Sequence, residues 1–151
     1  MNHALPWLTV AALLLGGCAP APVAAPKVDP ATEGWYAEAV DRLTKIDRVT
    51  EQLFQNGRTQ EAAALVTSGQ SLQNRLLTAP RPGLEAMEAI ADLDQVYGKL
   101  LVSNGYFGEA RLLFQKNVTR WKTWKQKTPE TESRLKMANE AMTECDRHMG
   151  G

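Results

Sequence analysis

Two cysteines and two histidines are the only thiols and imidazoles in this chain of 151 residues. His3 stands at the start and His148 near the end, so no histidine pair is placed to serve a nucleophile or to share a metal ion. Cys145 falls on the apolar side of a helical pattern, where a thiol behaves as a small hydrophobe. The carboxylates are spread along exposed-looking helix positions and no two are singled out as an acid–base pair. These residues point away from catalysis, and no cofactor or metal is expected. The most unusual local composition is Arg120-Trp-Lys-Thr-Trp-Lys-Gln-Lys127. Trp121, Lys122, Trp124 and Lys125 would make a basic-aromatic contact surface for lipid headgroups, glycan or an acidic partner if both rings were exposed. The alternative packs Trp121 and Trp124 inward against the last helix and leaves the lysines in water.

Charge is balanced, 17 basic against 17 acidic residues. No basic excess is present to neutralise phosphates, so nucleic acid is not an expected partner. With 44% apolar and 23% charged residues, the composition is that of an ordinary globular protein of about one domain.

The first 17 residues read as an address. Residues Ala4 to Gly17 carry no charge, and Leu8 to Leu15 form an apolar run. That run is short of the roughly 20 residues a membrane-spanning helix needs. It fits the apolar region of a secretory signal with small residues before the cut. Leu15-Gly16-Gly17-Cys18 resembles the bacterial lipoprotein signal box. The resemblance implies cleavage before Cys18 and attachment of acyl chains, palmitate among them, to its thiol and new amino terminus. Two or three such chains anchor firmly to a membrane. The start, Met1-Asn2-His3, departs from the pattern because it has no Lys or Arg. An uncleaved anchor, or a secreted protein with an incidental cysteine, are the other readings. Ala19 after the cysteine, by similarity to enterobacterial sorting, implies the outer membrane, facing the periplasm. Residues 18–32, with prolines at 20, 22, 26 and 30, form a tether that cannot sustain a helix. At about 3.1 Å per residue it reaches roughly 35–40 Å.

Residues 33–149 are expected to be all-α, in about five helices: two antiparallel hairpins and a C-terminal capping helix. Apolar residues recur at three- and four-residue steps in each. The first spans about Glu33 to Gln55 (Trp35, Ala39, Leu43, Ile46, Leu53) and ends at Asn56-Gly57, where glycine can take the left-handed conformation. The second, about Thr59 to Leu77, has Thr59 as its cap. Ala79-Pro-Arg-Pro-Gly83 breaks the chain. The third and fourth, about Leu84 to Ser103 and Tyr106 to Lys127, turn at Asn104-Gly105. Thr128-Pro129 opens the fifth, about Pro129 to His148.

Gly98, Gly105, Tyr106, Ala110 and Phe114 stand at the spacings of a tetratricopeptide repeat, and the third and fourth helices resemble one. Asp94 occupies the position where that family has a large residue. A weaker copy keeps Leu53, Gly57 and Ala62, with Thr50 and Val66 in place of Gly98 and Phe114. The two Asn-Gly-x-x-x-Glu-Ala segments begin 48 residues apart, against about 34 in regular arrays of the family. An ordinary five-helix bundle is the alternative. The resemblance implies a concave groove along the first helices of successive hairpins, with Asp92, Gln95, Lys99, Val102 and Ser103 facing it from the third helix and Asp47, Arg48 and Glu51 from the first. This mixture lacks a dense basic clamp for a terminal carboxylate.

The expectation is therefore a non-enzymatic lipoprotein, anchored at Cys18, that holds a protein partner in assembly or secretion at the cell envelope. The alternative is an envelope protein binding peptidoglycan or glycan through the basic-aromatic stretch.

Overall fold

The computed structural model describes residues 28–150. Cys18, the signal-like segment and most of the expected tether lie outside them. Five α-helices make up the described chain: α1 (Gly34–Gln55), α2 (Thr59–Leu76), α3 (Leu84–Ser103), α4 (Phe107–Thr123) and α5 (Pro129–His148). No described helix is long and apolar enough to cross a membrane. Residues 30–32, expected in the tether, instead form a short 3-10 turn against α1. Asp29 caps it by accepting from the Ala31 N–H at 3.0 Å, and Pro30 supplies the fixed φ suited to a first helical position.

The two hairpins close by the same device. Asn56 and Asn104 end α1 and α3, and Gly57 (φ 73°) and Gly105 (φ 81°) take the left-handed conformation. The Arg58 N–H reaches the Leu53 carbonyl and the Gly57 N–H reaches Phe54; Tyr106 reaches Leu101 and Gly105 reaches Val102. These paired bonds are a Schellman motif, which satisfies carbonyls that a helix end leaves open. Thr59, expected as a cap, is instead the first residue of α2, and the capping position is Arg58, which makes no side-chain cap. The α5 start matches expectation: Thr128 and Thr131 form a reciprocal capping box, with Pro129 at the first position.

Helix α3 is central and touches α1, α2 and α4, while α5 packs on α4. Its apolar residues are therefore buried nearly all round: Ile90, Leu93, Val96 and Leu100, with Ala86, Ala89 and Ala91 at close approaches. One core cluster joins α1, α2 and α3 through Leu43, Val66, Leu76 and Ile90. A second joins α3, α4 and α5 through Ala110, Phe114 and Cys145. Burial pushes the Cys145 thiol up, with the Asp146 and Glu144 charges adding to it, so the sulfur stays protonated and serves as core.

Gly98 sets the α3–α4 approach. A Cβ there would lie 2.4 Å from Phe114 Cε1, and Phe114 is itself buried. Helix propensity favours Ala over Gly by about 1 kcal/mol, whereas overpacking costs about 1–3 kcal/mol. Gly98→Ala is expected to lower stability, and Gly98→Leu to lower it further. Phe114→Leu in the Gly98→Ala background should recover part of the loss in a double-mutant cycle read by thermal unfolding. A Gly98→Ala chain more stable than wild type would show that the ring moves aside freely.

Candidate functional site

The residues expected to line a groove do face one. A depression of about 750 Å³ lies between α1 and α3, with Tyr36, Val40, Thr44, Ala86, Ala89 and Asp92 among its walls and Arg134 of α5 at its side. A second, of about 350 Å³, shares Thr44 and Asp92 with it and adds Asp47, Arg48, Glu51, Val96 and Lys99. A third, about 320 Å³, shares Lys99 and runs on between α3 and α5 past Gln95, Val102, Ser103 and Glu144. The three make one groove along the face bounded by α1, α3 and α5. Asp92, Gln95 and Lys99 are among its lining residues. Seven carboxyl residues line it against three basic ones, so in a chain of zero net charge this face is acidic.

Most of these carboxylates have cations. Lys99 Nζ meets Glu51 Oε1 at 2.9 Å. Arg134 Nη1 meets Asp92 at 2.5 Å, and its Nε lies 3.6 Å from Glu88 and 3.0 Å from Glu130. Behind the groove, Asp94 accepts from Gln73 of α2 at 2.9 Å and from Arg120 of α4 at 3.1 Å. Asn117 of α4 donates to the Ala91 carbonyl at 2.9 Å and accepts from Arg120.

Besides Glu85, which is exposed to water, Asp47 is the exception. It is 8% exposed, and neither carboxyl oxygen has a hydrogen-bond partner among the described residues. Burial pushes its pKa up to about 8, with the Asp92 and Asp94 charges adding to the shift. The sequence placed Asp47 as an outward groove residue and spread the acids over exposed positions. The structure keeps Asp47 at the groove wall but buries it, since α1 is rotated so that Asp47 and Thr50 share the buried side with Tyr36, Ala39 and Leu43. Asp47 and Asp94 are the two described acids that are buried rather than spread over exposed positions. Thr50 escapes the same difficulty because its hydroxyl donates to the Ile46 carbonyl at 2.7 Å.

The basic-aromatic stretch is divided. Trp121 is 2% exposed and lies under Arg134, whose guanidinium is 5.6 Å from its ring. It cannot touch a ligand, so its place among the expected contact residues is corrected to the core. Helix α4 stops at Thr123 rather than near Lys127, because Trp124 turns extended (ψ 126°). The Lys127 ammonium then donates to the Trp121 and Lys122 carbonyls at 2.7 and 3.0 Å, a cation closing a helix C-terminus. Trp124 is half-buried, edge-on to Trp121 with centroids 6.4 Å apart. Lys122 and Lys125 are exposed. Trp124 and Lys125 line a separate depression of about 890 Å³ between α4 and the α2–α3 connection, with Leu77, Arg81, Met87 and Lys116. No Asp or Glu lines it.

No protein-family model, curated protein or solved structure matches the chain.

Asp47 gives a pH signature. Its folded pKa lies above the unfolded value of about 3.8, so the folded chain holds a proton that the unfolded chain has lost between about pH 4 and 8. Stability from this group is full below pH 4 and is lost as pH rises through 8. Asp47→Asn should match wild type near pH 4 and exceed it at pH 8 by roughly 2–5 kcal/mol in denaturant unfolding. An equal offset at both pH values would show that the carboxyl is solvated.

Proposed function

We propose that this chain is a non-enzymatic interaction module that seats a segment of a protein partner in the groove bounded by α1, α3 and α5. The observation that supports this most directly is the groove itself. It extends past Tyr36 at one end to Ser103 at the other, and its walls carry both apolar and charged side chains. Such walls suit a polypeptide, which offers both kinds of group along its length. The tetratricopeptide-like spacing of the second hairpin agrees with this use of the face. The lipoprotein-like box at Cys18 adds a membrane anchor in the bacterial envelope, which would raise the effective concentration of the module beside partners held at the same membrane. Envelope assembly or secretion is the setting these features favour, with the outer membrane as the site of anchoring.

A second reading rests on the depression beside Trp124. It combines an indole with Arg81, Lys116 and Lys125, and no carboxylate lines it. An anionic or carbohydrate cell-wall polymer would suit that surface.

In-cell photocross-linking separates these readings. A photoreactive residue at Ser103, exposed at the groove edge, should give one defined protein adduct, with lower yield in the Cys18→Ser chain. Adducts to cell-wall material from a probe at Lys125, with none at Ser103, would replace the groove reading by the second. Equal yields at Ser103 with and without Cys18 would remove the anchor from the mechanism.

A further inference from the structure

The geometry points to Asp47 as the receptor for an arginine side chain carried by the partner segment, entering between α1 and α3. This deepens the groove reading and rests on it. The inference starts from an imbalance. Glu51 has Lys99, Asp92 has Arg134 and Asp94 has Arg120, yet Asp47, at the wall of the same depression, has no partner on either oxygen among the described residues. A buried polar group without a partner costs stability, and an apolar residue at this place in α1 would remove that cost. The carboxyl is thus a local weakness in the free chain that a bound cation would relieve.

Both oxygens are buried and without a partner, so a side chain that parts the α1–α3 wall there would reach two acceptors at once, which suits a planar guanidinium donating two parallel hydrogen bonds better than an ammonium. The surroundings favour a cation as well. Asp92 and Asp94 act on Asp47 as negative charges. The charged groups around the site are Arg48 and Glu51 on its own helix and Asp92, Asp94 and Lys99 on α3, with Arg120 of α4 and Arg134 of α5 bound to Asp94 and Asp92. Of the cations, Lys99, Arg120 and Arg134 are held by other carboxylates, and Arg48 is exposed on the rim. Among the described residues no group of three or more acids, histidines or cysteines is arranged to hold a metal ion, so an organic cation fits this acidic wall better. The apolar side chains of Val40, Ala89 and Val96 along the same face would take the aliphatic stem and the neighbouring residues of a peptide, which a free polyamine does not offer.

The test is a titration of the full-length, isotope-labelled chain with blocked arginine amide, followed by amide chemical shifts. The neutral isostere, blocked citrulline amide, and blocked lysine amide run in parallel. One bidentate contact at a buried carboxyl that the wall must uncover gives a Kd on the order of millimolar or weaker. Saturable shifts centred on Asp47 and Asp92 are expected with arginine, with affinity at least about fivefold weaker for citrulline and lost in Asp47→Asn. Affinity should rise from pH 6 to pH 8 as the carboxyl ionises. Equal responses to arginine and citrulline, an unchanged response in Asp47→Asn, or no saturable shift would each overturn the assignment. A stronger response to lysine would replace guanidinium by ammonium as the ligand. Defined Ser103 adducts together with a failed titration would leave the groove reading standing without this subsite. Loss of the adducts with a positive titration would leave a cation site outside any partner groove.

Discussion

Asp94 is gripped from two sides, and the register of the helices depends on that grip. Gln73 of α2 reaches one carboxylate oxygen and Arg120 of α4 reaches the other. Asn117 extends the contact to the α3 backbone at Ala91. A buried charge is tolerated only when paired, and removal of one partner from such a pair typically costs about 3–5 kcal/mol. Interdigitated contacts such as Gly98 against Phe114 resist sliding of neighbouring helices. This network adds to that resistance, because a shift of α2 or α4 along α3 would strand the carboxylate. It therefore ties the first hairpin to the second, through α2, α3 and α4.

The contrast with Asp47 gives the groove its character. The two carboxyls are similar in burial, 5% and 8% exposed, and both sit near the α1–α3 seam. One is satisfied on both oxygens and the other on neither. Around them the remaining ion pairs run across helices, from α1 to α3 through Lys99 and from α5 to α3 through Arg134. Arg134 also covers Trp121, so the same side chain that borders the groove closes the core behind it. The groove is thus set in a frame of paired charges, and its one buried carboxyl without a partner marks the position where a ligand has most to gain.

The helical architecture was legible because it rests on local signals. The period of apolar residues, the two Asn-Gly turns and the Thr128-Pro129 cap each act within a few residues of chain. Gly98 was legible for the same reason, its spacing to Ala110 and Phe114 fitting a close helix crossing. What stayed hidden depends on rotation about helix axes and on partners distant in sequence. Gly69 is an example: a Cβ there would lie 2.9 Å from Leu93 Cδ1, so it brings α2 onto α3, yet nothing next to it in the sequence signals this. Asp47 and Asp94 look alike in sequence, and only the fold shows that Gln73 and Arg120 reach one of them. Trp121 and Trp124 lie three residues apart and yet differ in burial, because α4 ends between them where Trp124 turns extended, and Lys127 satisfies the carbonyls left open.

The state of the Asp47 carboxyl in the free chain bears most directly on all of this. Its side-chain carboxyl carbon can be followed by NMR as pH is raised, with the other aspartates as internal references. A midpoint near pH 8 is the predicted result, and it would establish a buried carboxyl with no partner at the wall of the groove. A midpoint in the ordinary aspartate range, near 4, would mean that water or a neighbouring cation already satisfies it, and would contradict the view of this groove as a receptor with one buried carboxyl left without a partner.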